Sequence, residues 1–332
     1  MSWTRLIACI ALAVAAGLPA WAAPEGRLVR LPDGRRIYLQ CMGQGAPTVL
    51  FEGGYLADSG AWFKVQPQVA RITRACAYDR AGYGRSDPGP LPRDGKAVAR
   101  DLDQALRAGR IDGPFVLVGH SAGGLYGQLF ADRRPRQVVG MVLSDPSAEY
   151  QDKRFAAVFG PGAGSTEPLR ARDAACLEAA EHGKLPSTEP ALAACTPKPR
   201  PPNALGGQSE ASQAAALAQA LKVSRWRTAV SELETLWTLT SDEVARGQTT
   251  YGAMPLIVLT ADGTNAGTPP AARAAVDGLW RQLHRETAAK SSRGEERLVT
   301  GSSHMMMLDR PDAIVQAVTE VVQAARADSP HR

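Results

Sequence analysis

The sequence lacks several features that mark nucleic-acid-binding and metal-binding proteins. Its 38 Lys and Arg residues against 33 Asp and Glu residues leave a net charge of only +5. The basic residues form no dense run interleaved with aromatic side chains, so a nucleic-acid partner is not expected. The chain has five cysteines, and no two of them have the Cys-x-x-Cys spacing typical of a zinc site. A metal site is therefore not expected either.

Beyond its first residues the chain also lacks any apolar stretch near the roughly 20 residues that a membrane-spanning helix needs. The N-terminus carries Arg5, an uncharged apolar run at residues 6–18, and the small-residue sequence Ala-Trp-Ala at residues 20–22. This pattern is typical of a cleaved secretory signal peptide, which we place at residues 1–22. We expect a secreted or periplasmic protein with no stable membrane insertion after cleavage.

Removal of that segment would leave four cysteines, namely Cys41, Cys76, Cys176 and Cys195. An even number of cysteines in a chain addressed to an oxidising compartment indicates two disulfides. The residues alone leave all three pairings open, and buried free thiols are the alternative.

Short apolar runs recur along the chain, and helical segments separate the later ones. These runs predict strands at residues 28–31, 36–40, 48–51, 75–78, 115–118, 138–143, 256–260 and 296–299. The first two are joined by Pro-Asp-Gly at residues 32–34, which suits a hairpin. The alternation of strands and helices that follows predicts a mostly parallel sheet covered on both faces.

The alternation stops between residues 146 and 250. Ala-rich helical pieces replace it, together with a Pro/Gly-rich span at residues 198–207. We therefore expect an α/β core formed by residues 23–145 and 251–332, with a helical cap inserted at residues 146–250. The Ala-rich tract at residues 211–221 predicts an ordinary helix.

The strongest motif is Gly-His-Ser-Ala-Gly at residues 119–123. It lies between an apolar strand and a helix predicted at residues 125–131, as a nucleophile elbow does. The two glycines remove the side chains that would collide in such a sharp turn. Ser121 is therefore the candidate nucleophile. An ordinary glycine-rich turn is the alternative, which the flanking strand and helix disfavour.

With this elbow, the chain from about residue 26 to residue 325 resembles the α/β-hydrolase superfamily. A second motif, Asp-Arg-Ala-Gly-Tyr-Gly-Arg-Ser at residues 79–86, is similar to the turn that follows the superfamily's fourth strand. The resemblance implies the α/β-hydrolase fold, in which a mostly parallel eight-stranded sheet has helices on both faces and an inserted helical cap. It also implies that residues 79–86 shape the site without reacting.

The segment Glu52-Gly53-Gly54 follows the third strand, where the superfamily commonly has His-Gly-x. The resemblance implies that the Gly54 N–H is one donor of an oxyanion hole and that the Ala122 N–H is the other. Two such donors would stabilise the negative charge that develops on a substrate oxygen. Glu52 departs from the superfamily's histidine, and we expect it to alter substrate preference. A simple glycine turn is the alternative.

The resemblance also implies how the cysteines pair. In the superfamily's sheet the second strand runs antiparallel beside the fourth, so Cys41 would face Cys76. Cys176 and Cys195 would then form a disulfide within the cap.

A serine nucleophile needs a general base, and the resemblance implies His304. Residues 301–304, Gly-Ser-Ser-His, are followed by Leu-Asp-Arg-Pro at 308–311, which matches the superfamily's Gly-x-x-His before a Leu-Asp-x-Pro helix start. His120 lies inside the elbow and is expected to point away from the reaction. The remaining histidines lie in the cap, on a helix and in the tail, at His182, His284 and His331.

The carboxylate that would orient His304 is less clearly marked. Asp145 directly follows the sixth strand and Asp262 follows the seventh, and the superfamily uses both positions. In the commoner seventh-strand pattern the aspartate lies three residues beyond a strand-ending glycine. Here Ala261 takes the place of the glycine and Thr264 that of the aspartate. We favour Asp145, with Asp262 as the alternative.

These residues predict a serine hydrolase that cleaves a carboxylic ester through an acyl-enzyme on Ser121, with no cofactor. A cofactor-free haloperoxidase or perhydrolase, or an amidase or peptidase, would use the same residues. Serine at the elbow argues against haloalkane dehalogenase and epoxide hydrolase chemistry, which requires a carboxylate nucleophile. The alternative of another class is a non-catalytic protein that binds a lipid or small ligand. We expect the pocket walls to include Tyr55, Leu236 and Trp237.

Overall fold

The computed structural model describes residues 26–198 and 210–328, so the predicted signal peptide and most of the Pro/Gly-rich span lie outside the described residues. Eight strands form one sheet in the order β1-β2-β4-β3-β5-β6-β7-β8. Their bounds are β1 Arg27–Arg30, β2 Arg36–Met42, β3 Thr48–Glu52, β4 Ala75–Tyr78, β5 Phe115–His120, β6 Val138–Ser144, β7 Leu256–Ala261 and β8 Gly294–Val299. Strand β2 is antiparallel to β1 and β4, and the other neighbouring pairs are parallel. The prediction of a mostly parallel eight-stranded sheet is confirmed.

The helices of the described residues follow the strands in chain order. They are α1 Gln66–Val69, α2 Gly95–Ala108, α3 Ala122–Arg133, α4 Gln151–Phe159, α5 Glu167–Glu181, α6 Glu210–Ala220, α7 Val223–Thr235, α8 Ser241–Ala245, α9 Pro270–Ala288, α10 Met306–Asp309 and α11 Pro311–Asp328. Short 3₁₀ turns lie at Ser59–Trp62 and Pro190–Cys195, and a π-type turn at Leu236–Thr240 joins α7 to α8. None of the helices within residues 26–198 and 210–328 is long and apolar enough to cross a membrane.

Both faces of the sheet are buried at its centre, as β5 shows. Phe115 and Leu117 belong to a core that contains apolar residues of α2 and α3, whereas Val116 and Val118 belong to a core that contains residues of α1 and α11. Successive side chains of a strand point to opposite faces, so a continuous apolar run serves both cores. Helices therefore cover the sheet on each side, and its carboxyl-terminal edge carries the loops described below.

Between β6 and β7 the described chain forms helices α4 to α8. Helix α5 packs against α7, and their buried residues form a separate apolar cluster around Trp226. The π-type turn and α8 pack instead against α2 and α3. Leu236 and Trp237 are buried in the core on that side of the sheet. Neither residue is among those that line the cavity described below.

Two disulfides are present. Cys41 and Cys76 are register partners on the antiparallel strands β2 and β4, with an S–S distance of 2.09 Å. Cys176 on α5 is bonded to Cys195 at the end of a 3₁₀ turn, with an S–S distance of 2.00 Å. These are the two pairs that the resemblance implies.

Candidate active site

Ser121 lies at the junction of β5 and α3 with a backbone φ of +52°. A positive φ is rare for a residue with a side chain and indicates a backbone that its surroundings hold in place. The Ser121 carbonyl accepts hydrogen bonds from the amides of Gly124 and Ser147 at 2.9 and 3.0 Å, and its own amide donates to the Ser144 carbonyl at 3.3 Å. The turn is therefore tied to the end of β6 and to the loop beyond it.

Two glycines permit this turn. A Cβ atom at position 119 would lie 2.6 Å from the Gly123 carbonyl oxygen, and one at position 123 would lie 2.4 Å from the Glu52 carbonyl oxygen. Both separations are far below van der Waals contact, so neither position accepts a side chain without movement of the backbone. The spacing of the motif thus follows from close packing of the elbow against itself and against the end of β3.

The two amides expected to form an oxyanion hole flank Ser121. Ala122 is the first residue of α3, so its N–H has no acceptor within the helix. Gly54 lies so close to the elbow that a Cβ atom there would be 3.0 Å from Ser121 Cβ and 2.7 Å from His120 Nδ1. The structure thus places the backbone at position 54 directly beside the serine.

The Asp145 carboxylate is fully buried and accepts four hydrogen bonds. Oδ1 accepts from the Ala261 amide at 3.0 Å and from Trp280 Nε1 at 2.9 Å. Oδ2 accepts from Thr264 Oγ1 at 2.5 Å and is 2.6 Å from His304 Nδ1. Donors from β7, the loop after it and α9 therefore hold the carboxylate in one orientation toward the His304 ring.

The pKa of Asp145 reflects these contacts. Burial by itself raises the pKa, but the hydrogen bond from His304 and the positive charge that its ring can carry outweigh burial and lower the pKa below its ordinary value. Asp145 is therefore an anion beside His304 Nδ1, and Nε2 is the ring nitrogen that remains for another partner.

Asp262 lies elsewhere. Its carboxylate accepts hydrogen bonds from the amides of Gly301 and Ser302 at 3.0 and 3.2 Å, and it is exposed. It therefore stabilises the loop that leads to His304. Of the two candidate acids, the structure brings Asp145 into contact with the imidazole, whereas Asp262 bonds the backbone of the same loop.

His120 was expected to point away from the site, but the structure places its ring against His304. The two ring centroids are 4.6 Å apart, and His120 Nε2 is 2.8 Å from the His304 carbonyl oxygen. Burial and the nearby His304 lower the pKa of His120 to about 3, so its ring is neutral and Nε2–H donates to that carbonyl. His120 thus connects the elbow to the backbone of the His304 loop.

Glu52, the departure from the superfamily's pattern, is buried. Its carboxylate pairs with Arg80 at 2.9 Å and accepts a hydrogen bond from the Tyr78 hydroxyl. Burial raises the pKa of Glu52 to about 7 even though Arg80 opposes the shift. Since it contacts these two buried side chains, Glu52 belongs to the support of the turn at residues 53–54.

A cavity of about 710 Å³ is lined in part by residues that adjoin this site in the sequence. Tyr55 adjoins Gly54 in sequence, Met305 adjoins His304, and both contribute to the cavity wall. Other parts of the wall come from α6, α7 and the 3₁₀ turn that ends at Cys195. Most of the wall is apolar, and its apolar side chains include Leu56, Phe63, Leu217, Trp226, Met307 and Leu308.

Several contacts at this site escape sequence analysis. Trp280 and Thr264 bond Asp145, and Arg80 bonds Glu52, across long separations in the chain. Of these contacts, that of Thr264 had a signal in the sequence, because the threonine stands at the position where an aspartate is common.

Within the part of the chain that the structure describes, no group of three or more His, Cys, Asp or Glu side chains is placed to hold a metal ion.

Comparison with known proteins agrees with this architecture. Residues 45–317 match the model of a family described as the alpha/beta hydrolase family. The chain belongs to this family. The match covers most of the sheet, the elbow and the His304 loop.

Relatives of this alpha/beta hydrolase match it over shorter stretches. YqjL of Bacillus subtilis is 30% identical over 105 residues, which are 32% of this chain and 42% of YqjL. Lipase LipV of Mycobacterium tuberculosis is 33% identical over 122 residues, 36% of this chain and 44% of LipV. The chain thus spans less than half of either relative. The solved structure of the epoxide hydrolase CorEH matches this chain with a TM-score of 0.65 at 15% sequence identity. The match covers 91% of this chain and 99% of the CorEH chain, which shows a shared fold.

Proposed function

We propose that this protein is a serine hydrolase that cleaves a carboxylic ester, with Ser121 as nucleophile and His304 as general base. The carboxylate of Asp145 would orient the His304 ring. The contact of 2.6 Å between His304 Nδ1 and Asp145 Oδ2, beside a serine at a strained elbow, carries the proposal. It supplies the base and the oriented partner that a serine hydroxyl needs.

The reaction would proceed in two stages. Ser121 Oγ attacks the ester carbonyl while His304 Nε2 takes its proton, and the amides of Gly54 and Ala122 bind the oxyanion of the tetrahedral intermediate. His304 then donates the proton to the departing alcohol, which leaves an acyl group on Ser121. A water molecule, deprotonated by His304, then attacks the acyl carbon. The bond from that carbon to Ser121 Oγ breaks, the proton on His304 passes to Ser121 Oγ, and the carboxylic acid is released.

The substrate is proposed to place its acyl part in the apolar cavity beside Tyr55 and Met305. Residues 146–250 would then act as a cap, with residues 23–145 and 251–332 as the hydrolase core. The cavity supports this division because one part of its wall belongs to the core and another to helices α6 and α7. LipV is named as a lipase, which also favours an ester substrate.

The fold shared with CorEH does not extend the proposal to epoxide hydrolysis. A carboxylate nucleophile would be needed at the elbow, and serine occupies that position.

The two disulfides support the proposal that the protein works in an oxidising compartment, either secreted or periplasmic.

The test is hydrolysis of p-nitrophenyl esters across a range of acyl lengths by wild type and Ser121→Ala. We expect turnover that is lost in Ser121→Ala while the folding transition is retained. A fluorophosphonate probe should label wild type and leave the variant unlabelled. Equal turnover by both proteins would refute the mechanism, and a folded wild type with no turnover and no labelling would favour a binding protein.

A further inference from the structure

Arg80 is almost completely buried, and all five of its N–H groups have acceptors. Nε and Nη2 donate to the Glu232 carboxylate at 2.8 and 3.2 Å, and Nη1 donates to Glu52 at 2.9 Å. The two remaining N–H groups donate to main-chain carbonyls, from Nη1 to Gly53 at 2.7 Å and from Nη2 to Gly54 at 2.8 Å. The guanidinium is therefore fixed between two carboxylates and two consecutive peptides.

The carbonyl contacts determine the direction of the neighbouring amide. The peptide between Gly53 and Gly54 is trans, so its C=O and N–H point in opposite directions. Since Arg80 binds the Gly53 oxygen on one side, the Gly54 N–H is directed to the other. A charged donor on that oxygen also polarises the peptide and makes its N–H a stronger donor.

We propose that Arg80 is a positioning residue for the oxyanion hole, which aims the Gly54 N–H by holding the Gly53 and Gly54 carbonyls and which is itself held by Glu232 of α7. The proposal rests on the function proposed above. Arg80 acts through the backbone and is not a catalytic residue. Its partner on α7 makes the position of the oxyanion turn depend on a helix of the segment between β6 and β7.

Stability alone is a weak reason for this arrangement. Placing a guanidinium and two carboxylates in the interior requires their desolvation, and well-packed apolar residues often give equal or greater stability. Lysine could not replace the arginine, because its ammonium has three donors at one point and cannot span two carbonyls and two carboxylates. The geometry therefore depends on the planar guanidinium.

The experiment compares Arg80→Lys with a matched control, Arg93→Lys. Arg93 is equally buried and pairs with Asp101 at 2.8 Å, and its main chain also bonds residues of α7. We expect both variants to lose stability. We expect kcat to fall about 10²-fold in Arg80→Lys alone, since a misplaced donor costs about that much. KM should stay within about twofold of wild type, because the lost interaction is made only in the transition state.

An inhibitor supplies a second readout. A trifluoromethyl ketone forms a tetrahedral adduct with the serine, and the oxyanion of the adduct occupies the same site. Its Ki should rise in Arg80→Lys in proportion to the loss in kcat/KM, and should stay near the wild-type value in Arg93→Lys. A residue with a purely structural role would not separate Ki from KM in this way.

A third readout does not require turnover. Glycine labelled at the carbonyl carbon and the nitrogen gives carbonyl-to-amide correlations only for Gly-Gly peptides, and the sequence has three, at residues 53–54, 123–124 and 206–207. We expect the signal of 53–54 to move in Arg80→Lys and to stay in place in Arg93→Lys. A wild type without serine-dependent turnover would refute the proposed hydrolase, while this signal would still test the orientation of the peptide.

If Arg80→Lys does not fold, Glu232→Gln replaces it, with Glu234→Gln as control. Glu232 is buried against Arg80, whereas Glu234 is exposed on the same helix. Glu232→Gln should lower kcat and move the 53–54 signal, and Glu234→Gln should do neither. The proposal is overturned if the Arg80 or Glu232 variant keeps the kcat of its control, or if the 53–54 signal remains at its wild-type position.

Discussion

The Thr264 hydroxyl donates a hydrogen bond of 2.5 Å to Asp145 Oδ2, the same oxygen that contacts His304 Nδ1. Thr264 stands where the commoner pattern of the superfamily would place the aspartate after the seventh strand. The loop after β7 therefore reaches the same point as the end of β6, and the threonine binds a carboxylate that comes from the neighbouring strand.

Replacing Thr264 with valine should lower kcat about 10-fold with little change in KM. A hydrogen bond to a charged group contributes about 1.5–3 kcal/mol, and about 1.4 kcal/mol corresponds to a factor of ten in rate. Thr268→Val, in the same loop, should retain wild-type kcat. Steady-state hydrolysis of a p-nitrophenyl ester measures both variants, and a Thr264→Val enzyme as fast as wild type would show that this hydrogen bond does not orient the acid.

The two candidate acids should differ sharply. Asp145→Asn should reduce kcat about 10⁴-fold, because an amide beside Nδ1 favours the wrong imidazole tautomer. Asp262→Asn should keep kcat near wild type, since an amide oxygen can still accept from the Gly301 or Ser302 amide. The same ester assay decides between them. A larger loss in Asp262→Asn than in Asp145→Asn would reverse the assignment.

His120→Phe should retain the ring volume but remove the donor to the His304 carbonyl. We expect kcat to fall about fivefold, which corresponds to the loss of about 1 kcal/mol from one hydrogen bond. The shape of the pH profile of kcat/KM should not change, because the pKa of His120, lowered by burial to about 3, lies below the assay range. His182→Phe, at an exposed histidine, is the control. A pH profile that loses an ionisation in His120→Phe would contradict this account.

Glu52 should make the stability of the fold depend on pH. Burial raises the pKa of Glu52 from its ordinary value of 4.5 to about 7 in the folded protein. Between pH 4.5 and pH 7 the folded state therefore binds more protons than the unfolded state. The stabilising effect of the protonated form is fully present below pH 4.5 and is lost as pH rises through 7. Relative to Glu52→Gln, wild type should lose on the order of 3 kcal/mol of unfolding free energy over this range.

Denaturant unfolding from pH 4.5 to pH 8 measures this difference. Glu286→Gln is a control of opposite sign, because the hydrogen bond from Arg154 lowers the pKa of Glu286, so its contribution is lost as pH falls. A constant difference in stability between wild type and Glu52→Gln across the range would show that Glu52 does not titrate there.

Local sequence was sufficient for the features that neighbouring residues determine. The elbow at residues 119–123 follows from steric limits on a strand-to-helix turn, which only glycine satisfies at positions 119 and 123. Inner strands such as β3, β5 and β7 could be located because each is a short, mainly apolar run that is buried throughout, and a strand buried on both faces needs no polar alternation. The disulfide pairs required the resemblance as well, since spacing alone leaves three pairings.

Pocket walls could not be assigned in this way. Leu236 and Trp237 are apolar residues near the end of α7, and their sequence does not distinguish a cavity wall from the core. Helix packing places both in the core, whereas Tyr55, which directly follows Gly54, lines the cavity.

The sequence by itself determined the family, the elbow with Ser121, and His304 at the start of a helix, because each is a short motif with its own local geometry. Only the tertiary structure decided that Asp145 contacts His304 and that Asp262 does not. Both aspartates follow parallel strands that end at the same edge of the sheet, so the direction of each side chain depends on donors that are distant in sequence, such as Trp280. The bonds of Arg80 to the carbonyls of Gly53 and Gly54 are likewise accompanied by a pairing with Glu232, 152 residues away, which only the folded chain brings into contact.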